Sequence, residues 1–241
     1  MTWTPTEAYR RLLARFGPQG WWPVTARGGT RPRYRPGRFE PPGGRQALEV
    51  CLGAILTQNT AWANVWKALV ALNGAEGVDL GRLARMPRRR LERLIRPSGY
   101  YVQKAVKLKA FVRHALGTGT SLARWLRRSP LAGLRTELLS IHGVGPETAD
   151  SMLLYAGARP VFVVDAYTDR IGRRLGWFGP DAGYARVQGF FEGRLTRSAR
   201  VYNECHALLV RLAKDHCRIV PRCGECPLRA RCPEGRERRG V

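Results

Sequence analysis

Acidic residues are in short supply in this chain of 241 residues: 18 Asp and Glu stand against 42 Lys and Arg, a formal net charge of +24. Lysine is scarce as well, limited to Lys67, Lys104, Lys107, Lys109 and Lys214, so the positive charge is almost all guanidinium. GC-rich coding would raise Arg, Gly and Ala together, yet it would not thin out the acids. A polyanionic partner accounts for that shortage. The runs Arg88–Arg90 and Arg236–Arg239 read as solvated faces. Also missing is any run of about 18 apolar residues, and the opening stretch MTWTPTEAYRRLLARF has early charges and no signal-length apolar core. The expectation is a soluble, cytoplasmic protein with no membrane partner. In that reducing setting six cysteines argue against a disulfide framework, and four of them, Cys217, Cys223, Cys226 and Cys232, fall within 16 residues. Metal explains them better.

Alternating strand patterns are absent, and helical spacing recurs throughout, so the fold class is all-α. Thr4 and Pro5 suit the N-cap and first position of a helix over residues 4–16. A polar, Gly/Pro/Arg-rich stretch, Gly17–Gly44, follows, interrupted by Trp21-Trp22-Pro23. Leu48, Cys51, Leu52, Ile55 and Leu56 then share a helix face that leads into Thr57-Gln58-Asn59-Thr60, and Cys51 is most simply a core residue. Short amphipathic helices fill Leu80–Leu126, and three more follow Asp165, the last carrying Val201, Cys205, Leu208, Leu209 and Leu212.

The most informative stretch is Leu138–Arg170. Leu131, Leu134, Leu138 and Leu139 recur at helical spacing, as do Ala149, Met152, Leu153 and Ala156, with His142-Gly143-Val144-Gly145 between the two sets. Pro146 fits the first position of the second helix. Such a turn aims backbone N–H groups, from the loop and from a helix N-terminus, at an anion, and phosphate is their natural ligand. Taken alone, the turn reads first as an ordinary helical hairpin with a glycine cap. The apolar run Val161–Val164 then delivers Asp165 to the start of another helix. The cysteine spacing C-x5-C-x2-C-x5-C departs from zinc-finger patterns, and by itself leaves zinc and iron–sulfur both open.

Hairpin, acid and cysteine cluster together resemble the helix-hairpin-helix DNA glycosylases of the endonuclease III family, over about Gln46 to Cys232. The resemblance implies a six-helix domain at about 39–159 holding the hairpin (about 130–157), and a second domain built from residues 1–38 and 160–241, with the active site in the groove between them. It implies a [4Fe–4S] cluster on Cys217, Cys223, Cys226 and Cys232, with one residue fewer between the first two ligands than in endonuclease III. The cluster would act as a clip shaping a basic loop, with Arg218 and Arg222, for phosphate contact. His142, Gly143, Val144, Gly145 and Thr148 would meet DNA phosphates. Cys205, upstream on a helix, reads as buried.

Breaking an N-glycosidic bond builds oxocarbenium character on the sugar, so a carboxylate near the anomeric carbon stabilises the transition state. Asp165 matches the family's catalytic aspartate, eighteen residues after the position of its lysine, and also suits a plain N-cap. That lysine, which in bifunctional members attacks the sugar as an amine, is Glu147 here. The implied enzyme is monofunctional and works as a monomer on double-stranded DNA with damaged bases. Thr57-Gln58-Asn59-Thr60-Ala61-Trp62 and Pro97-Ser98-Gly99-Tyr100-Tyr101 look most like the branch that removes 3-methyladenine and related alkylated purines. Gln58 matches the residue filling the gap left by the flipped nucleotide, beside Asn59; both could instead cap or bridge helices. Trp21, Trp22 and Trp62 match base-pocket rings that would stack on a cationic purine, with domain packing as the plainer use of all three. Two alternatives stand beside this reading: an oxidised-pyrimidine glycosylase with abasic-site lyase activity, and a non-catalytic DNA-binding module.

Overall fold

The structure, a computed structural model, describes residues 2–128 and 130–237; Arg238 and Arg239 of the last basic run lie outside the described residues. The chain forms two compact units, one of Met1–Trp21, Pro36–Arg38 and Pro160–Val241, the other of Trp22–Arg35 and Phe39–Arg159. No described helix is long and apolar enough to cross a membrane.

Helix α1 (Pro5–Phe16) opens the first unit with a capping box: Glu7 donates its backbone N–H to the Thr4 hydroxyl at 3.3 Å, and Thr4 donates its own to the Glu7 carboxylate at 2.8 Å. Gly17, at φ +69°, ends the helix.

The second unit is helical apart from one short ladder. β1 (Val24–Thr25) pairs antiparallel with β2 (Pro32–Arg33), Val24 opposite Arg33 and Thr25 opposite Pro32. The sequence offers no strand here because two residues a side, set among glycine and proline, cannot display a period of two. Helix α2 (Gly44–Leu56) follows, and Ala47–Leu56 are all buried. It packs against β1, α6 (Tyr101–Gly117), α7 (Leu122–Leu126) and the helix of the hairpin. Around it lie α3 (Trp62–Gly74), α4 (Leu80–Arg85) and α5 (Arg88–Ile95). Buried Glu49 on α2 accepts the Thr25 N–H at 2.8 Å, the Thr25 hydroxyl at 2.5 Å and the Asn73 amide at 2.8 Å. That network ties the ladder to α2 and α3 and satisfies a carboxylate which, buried alone, would cost several kcal/mol. The unit ends in α8 (Leu131–Leu139) and α9 (Pro146–Ser151), which runs on as a π-helical turn, Met152–Ala156.

The first unit resumes with α10 (Ala166–Arg174), α11 (Tyr184–Glu192), α12 (Ala199–Asp215) and α13 (Pro233–Glu237). α12 packs on α1 and α10. Its core stacks Phe162 on Phe191 at 4.3 Å, with Tyr202 edge-on to Phe162.

Candidate functional site

The hairpin is built around Gly143. Its φ of +83° is left-handed, the region that favours glycine, and the stem of Lys107 lies against it, with Cγ 2.2 Å from where a Cβ would stand. Val144 closes the turn by donating its N–H to Ile141 O at 3.0 Å, and its side chain is buried. His142 and Glu147 are exposed, while Thr148 and Asp150 are buried. Arg135 of α8 clamps Asp150 of α9 with two bonds, Nε to Oδ1 at 2.7 Å and Nη2 to Oδ2 at 3.0 Å. This bidentate pair ties the two helices together.

Gln58 joins this hairpin from the turn after α2. Its Nε2 donates to Gly143 O at 2.9 Å and to the Thr148 hydroxyl at 3.0 Å, and its Oε1 accepts from Lys107 Nζ at 2.6 Å. The neighbouring Asn59 is exposed and left-handed, at φ +53°. Asn is among the residues that tolerate that region.

A second cluster in the same unit is aromatic. Trp22 meets Trp62 edge-on at 5.4 Å between centroids and Tyr155 at 5.4 Å with a tilt of 51°. Gly53 of α2 makes room for it: a Cβ there would stand 3.0 Å from Trp22 Cζ2. Tyr155, which the sequence did not single out, sits on the π-helical turn, an irregularity that recurs at functional sites. Trp21 belongs to the other unit.

Asp165 lies in that other unit. Val161–Val164 are buried, and Asp165 caps α10, its Oδ1 accepting the Thr168 N–H at 2.7 Å. The cap role and the apolar run read from the sequence are both present. Not foreseen was His206 of α12, whose Nε2 stands 3.5 Å from Asp165 Oδ2 with both side chains largely buried. Burial pushes the Asp165 carboxyl up, but the charge and hydrogen bond of His206, then the backbone and hydroxyl of Thr168, outweigh it and hold the group below the usual aspartate range. Among four histidines in the chain, His206 is one position off the apolar stripe of its helix, the sole sequence hint that it faces inward.

The cysteine loop is held by arginines of α10. Arg170 Nε donates to Cys217 O at 2.9 Å, and Arg174 donates to Arg218 O at 2.5 Å and to Ile219 O at 2.8 Å, with its Nη1 3.4 Å from Cys217 Sγ. Arg218 Nε turns back to Lys214 O at 2.7 Å, and Arg222 is exposed. Cys51 and Cys205 are buried; Cys217, Cys223, Cys226 and Cys232 are partly exposed. Burial, and behind it the thiols of Cys217, Cys232 and Cys223, push the Cys226 thiol up to about 11. The donor set fits a soft metal in its chemistry, four thiols within electrostatic reach of one another. Among the described residues, however, no three His, Cys, Asp or Glu side chains are gathered in coordinating geometry.

Comparison with known proteins agrees with these features. A family model described as HhH-GPD superfamily base excision DNA repair protein matches residues 52–195. A protein of Methanocaldococcus jannaschii, named as a putative DNA repair glycosylase, is 38% identical over 229 residues, 94% of each chain. The 3-methyladenine DNA glycosylase of H. pylori, solved bound to 1,N6-ethenoadenine, superposes with a TM-score of 0.69 at 26% identity, over 88% of this chain and 98% of that one. An endonuclease III trapped as a covalent DNA intermediate shares the fold, with a TM-score of 0.69 at 23% identity over 80% of this chain and 85% of that one. The family match takes in hairpin and Asp165 and spans more than half of the chain, and the chain belongs to the HhH-GPD superfamily of base excision DNA repair proteins, as a DNA glycosylase.

Proposed function

We propose that this glycosylase hydrolyses the N-glycosidic bond of alkylated purines, of the 3-methyladenine and 7-methylguanine type, in duplex DNA, working as a monomer and leaving the abasic site uncut. The observation that carries the reading is Glu147, exposed at the first turn of α9 where the family's bifunctional members have lysine. Cleavage through an imine needs a nucleophilic amine, which a carboxylate cannot supply.

Hydrolysis needs less. Water adds to the anomeric carbon as the glycosidic bond breaks, and the bond's electron pair leaves with the base. In an alkylated purine that pair neutralises the ring's positive charge, so departure needs little acid catalysis. Asp165, ionised at neutral pH because of its low pKa, stabilises the cationic sugar and accepts a proton from the attacking water. Rings such as Trp22 and Trp62, with Trp21, attract a cationic base through their electron-rich faces. The likeness to a 3-methyladenine glycosylase supports the same substrate class. Gln58 and Asn59 fill the gap left by the flipped base, and the hairpin at His142–Gly145, with Thr148, meets phosphates.

Cys217, Cys223, Cys226 and Cys232 would hold a [4Fe–4S] cluster, whose contribution is to lock the loop carrying Arg218 and Arg222. Iron and sulfide analysis of anaerobically purified protein should find four of each per chain, and substoichiometric iron would refute this part. The function is tested by scoring base release and strand cleavage separately, on duplexes carrying 7-methylguanine or 3-methyladenine beside duplexes carrying thymine glycol. The expected result is release of the alkylated purine, with nicking only after alkali. Thymine glycol release with direct nicking would refute the reading in favour of a lyase with another amine.

A further inference from the structure

We propose that His206 is a positioning residue for Asp165: it presents Nε2 to Oδ2 and fixes the plane of the carboxylate for the reaction. This rests on the assignment of Asp165 as the glycosylase carboxylate. Capping alone does not explain the arrangement, since an N-cap needs a single oxygen, and Oδ1 already serves by accepting the Thr168 N–H at 2.7 Å. Ser, Thr or Asn would cap α10 equally well without burying a charge. Instead the second oxygen faces a buried imidazole from another helix at 3.5 Å, with side-chain exposures of 7% for His206 and 14% for Asp165. The imidazole is itself held: Phe162 stands edge-on to it, at 6.4 Å and 79°. Oδ1 thus has a fixed donor and Oδ2 a buried imidazole nitrogen beside it, and the carboxylate is held in one orientation with lone pairs left for water or sugar.

From α10 comes Thr168, which contributes its backbone N–H and its hydroxyl. From α12 come His206 and Lys214, the latter in the carboxylate's field and flanked by Asp215 and Arg211. From α11 the Tyr184 hydroxyl accepts the neighbouring Val164 N–H at 3.4 Å. With His206 removed, burial of Asp165 remains while its strongest compensating contact is gone. The carboxyl then titrates at higher pH, and the acid limb of base release moves up with it.

The test uses the full chain in single-turnover release of 7-methylguanine from duplex DNA across pH, for His206→Leu, His206→Gln and Asp165→Asn. Thermal unfolding and duplex affinity are measured alongside. His206→Leu should shift the acid limb up by about one pH unit or more, with duplex affinity unchanged, and His206→Gln, which keeps an N–H donor, should fall in between. A purely structural staple would lower the melting temperature and leave the limb in place. If His206→Leu fails to fold, His206→Gln decides. Folded variants with the wild-type limb, beside an inactive Asp165→Asn, overturn the role of His206 alone. An Asp165→Asn protein that releases base at the wild-type rate overturns the assignment of Asp165 and this inference with it.

Discussion

Replacing Gly143 with alanine should destabilise the helical unit by about 2–3 kcal/mol, through two separable costs. The first is backbone strain: at φ +83° an L-residue pays about 1–2 kcal/mol. The second is displacement of Lys107, whose Cγ, Cδ and Cε would stand 2.2, 2.5 and 2.9 Å from the new methyl group. The lysine stem is flexible and can swing away, but then Nζ forfeits its 2.6 Å bond to Gln58 Oε1. For a partly exposed, charge-assisted bond that loss is about 1 kcal/mol. A double-mutant cycle separates the two: in a Lys107→Ala background the same substitution should cost only the backbone part, leaving a coupling of about 1 kcal/mol. Urea unfolding of the four proteins, compared by midpoint and slope, reads the cycle. A cost below about 0.5 kcal/mol for Gly143→Ala, or equal costs in both backgrounds, would refute the reasoning.

Other consequences are as direct. Glu49→Ala strips the acceptor from the Thr25 N–H, the Thr25 hydroxyl and the Asn73 amide in a fully buried setting, and should cost about 3–5 kcal/mol by thermal or chemical unfolding. Arg135→Met leaves the Asp150 carboxylate buried without its bidentate partner and should cost about 3–5 kcal/mol; adding Asp150→Asn should recover part of that loss in the same assay. Glu7, drawn down from 4.5 to about 2, first by hydrogen bonding to Arg231 and then by Thr4, supports α1 above the unfolded value. That support should fade as pH falls from about 4.5 towards 2 and stay constant above, followed by amide exchange or NMR of α1.

Helices were legible wherever apolar residues kept a 3.6 period, as at Leu134 and Leu138 or Ala149, Met152 and Leu153, all of them buried. Cys51 was legible as core for the same reason, being fully buried. Asp165 could be placed at a helix start because an apolar run ends there and helical spacing resumes. Its partnership with His206 could not, since it depends on how α10 packs against α12 across forty-one residues of sequence. The bonds of Gln58 to Gly143 and Thr148, 85 and 90 residues away, were foreseeable only as a general capacity of glutamine to bridge helices. The π-helical turn at Met152–Ala156 left no trace in the spacing, because one extra residue in a turn does not disturb a pattern that is apolar on all sides.

The way the Val24–Arg33 ladder is anchored changes when it opens. Two paired residues a side would ordinarily breathe on their own, exchanging their amide protons with solvent freely. Here the Thr25 amide is bonded to a carboxylate in the middle of α2, so its proton is freed when the Glu49 network comes apart. Deuterium uptake at Thr25 should therefore keep time with the interior of α2 and lag behind the exposed turn at Gly28 and Gly29, making a segment that composition marks as a loop part of the helical unit's slowest-exchanging core.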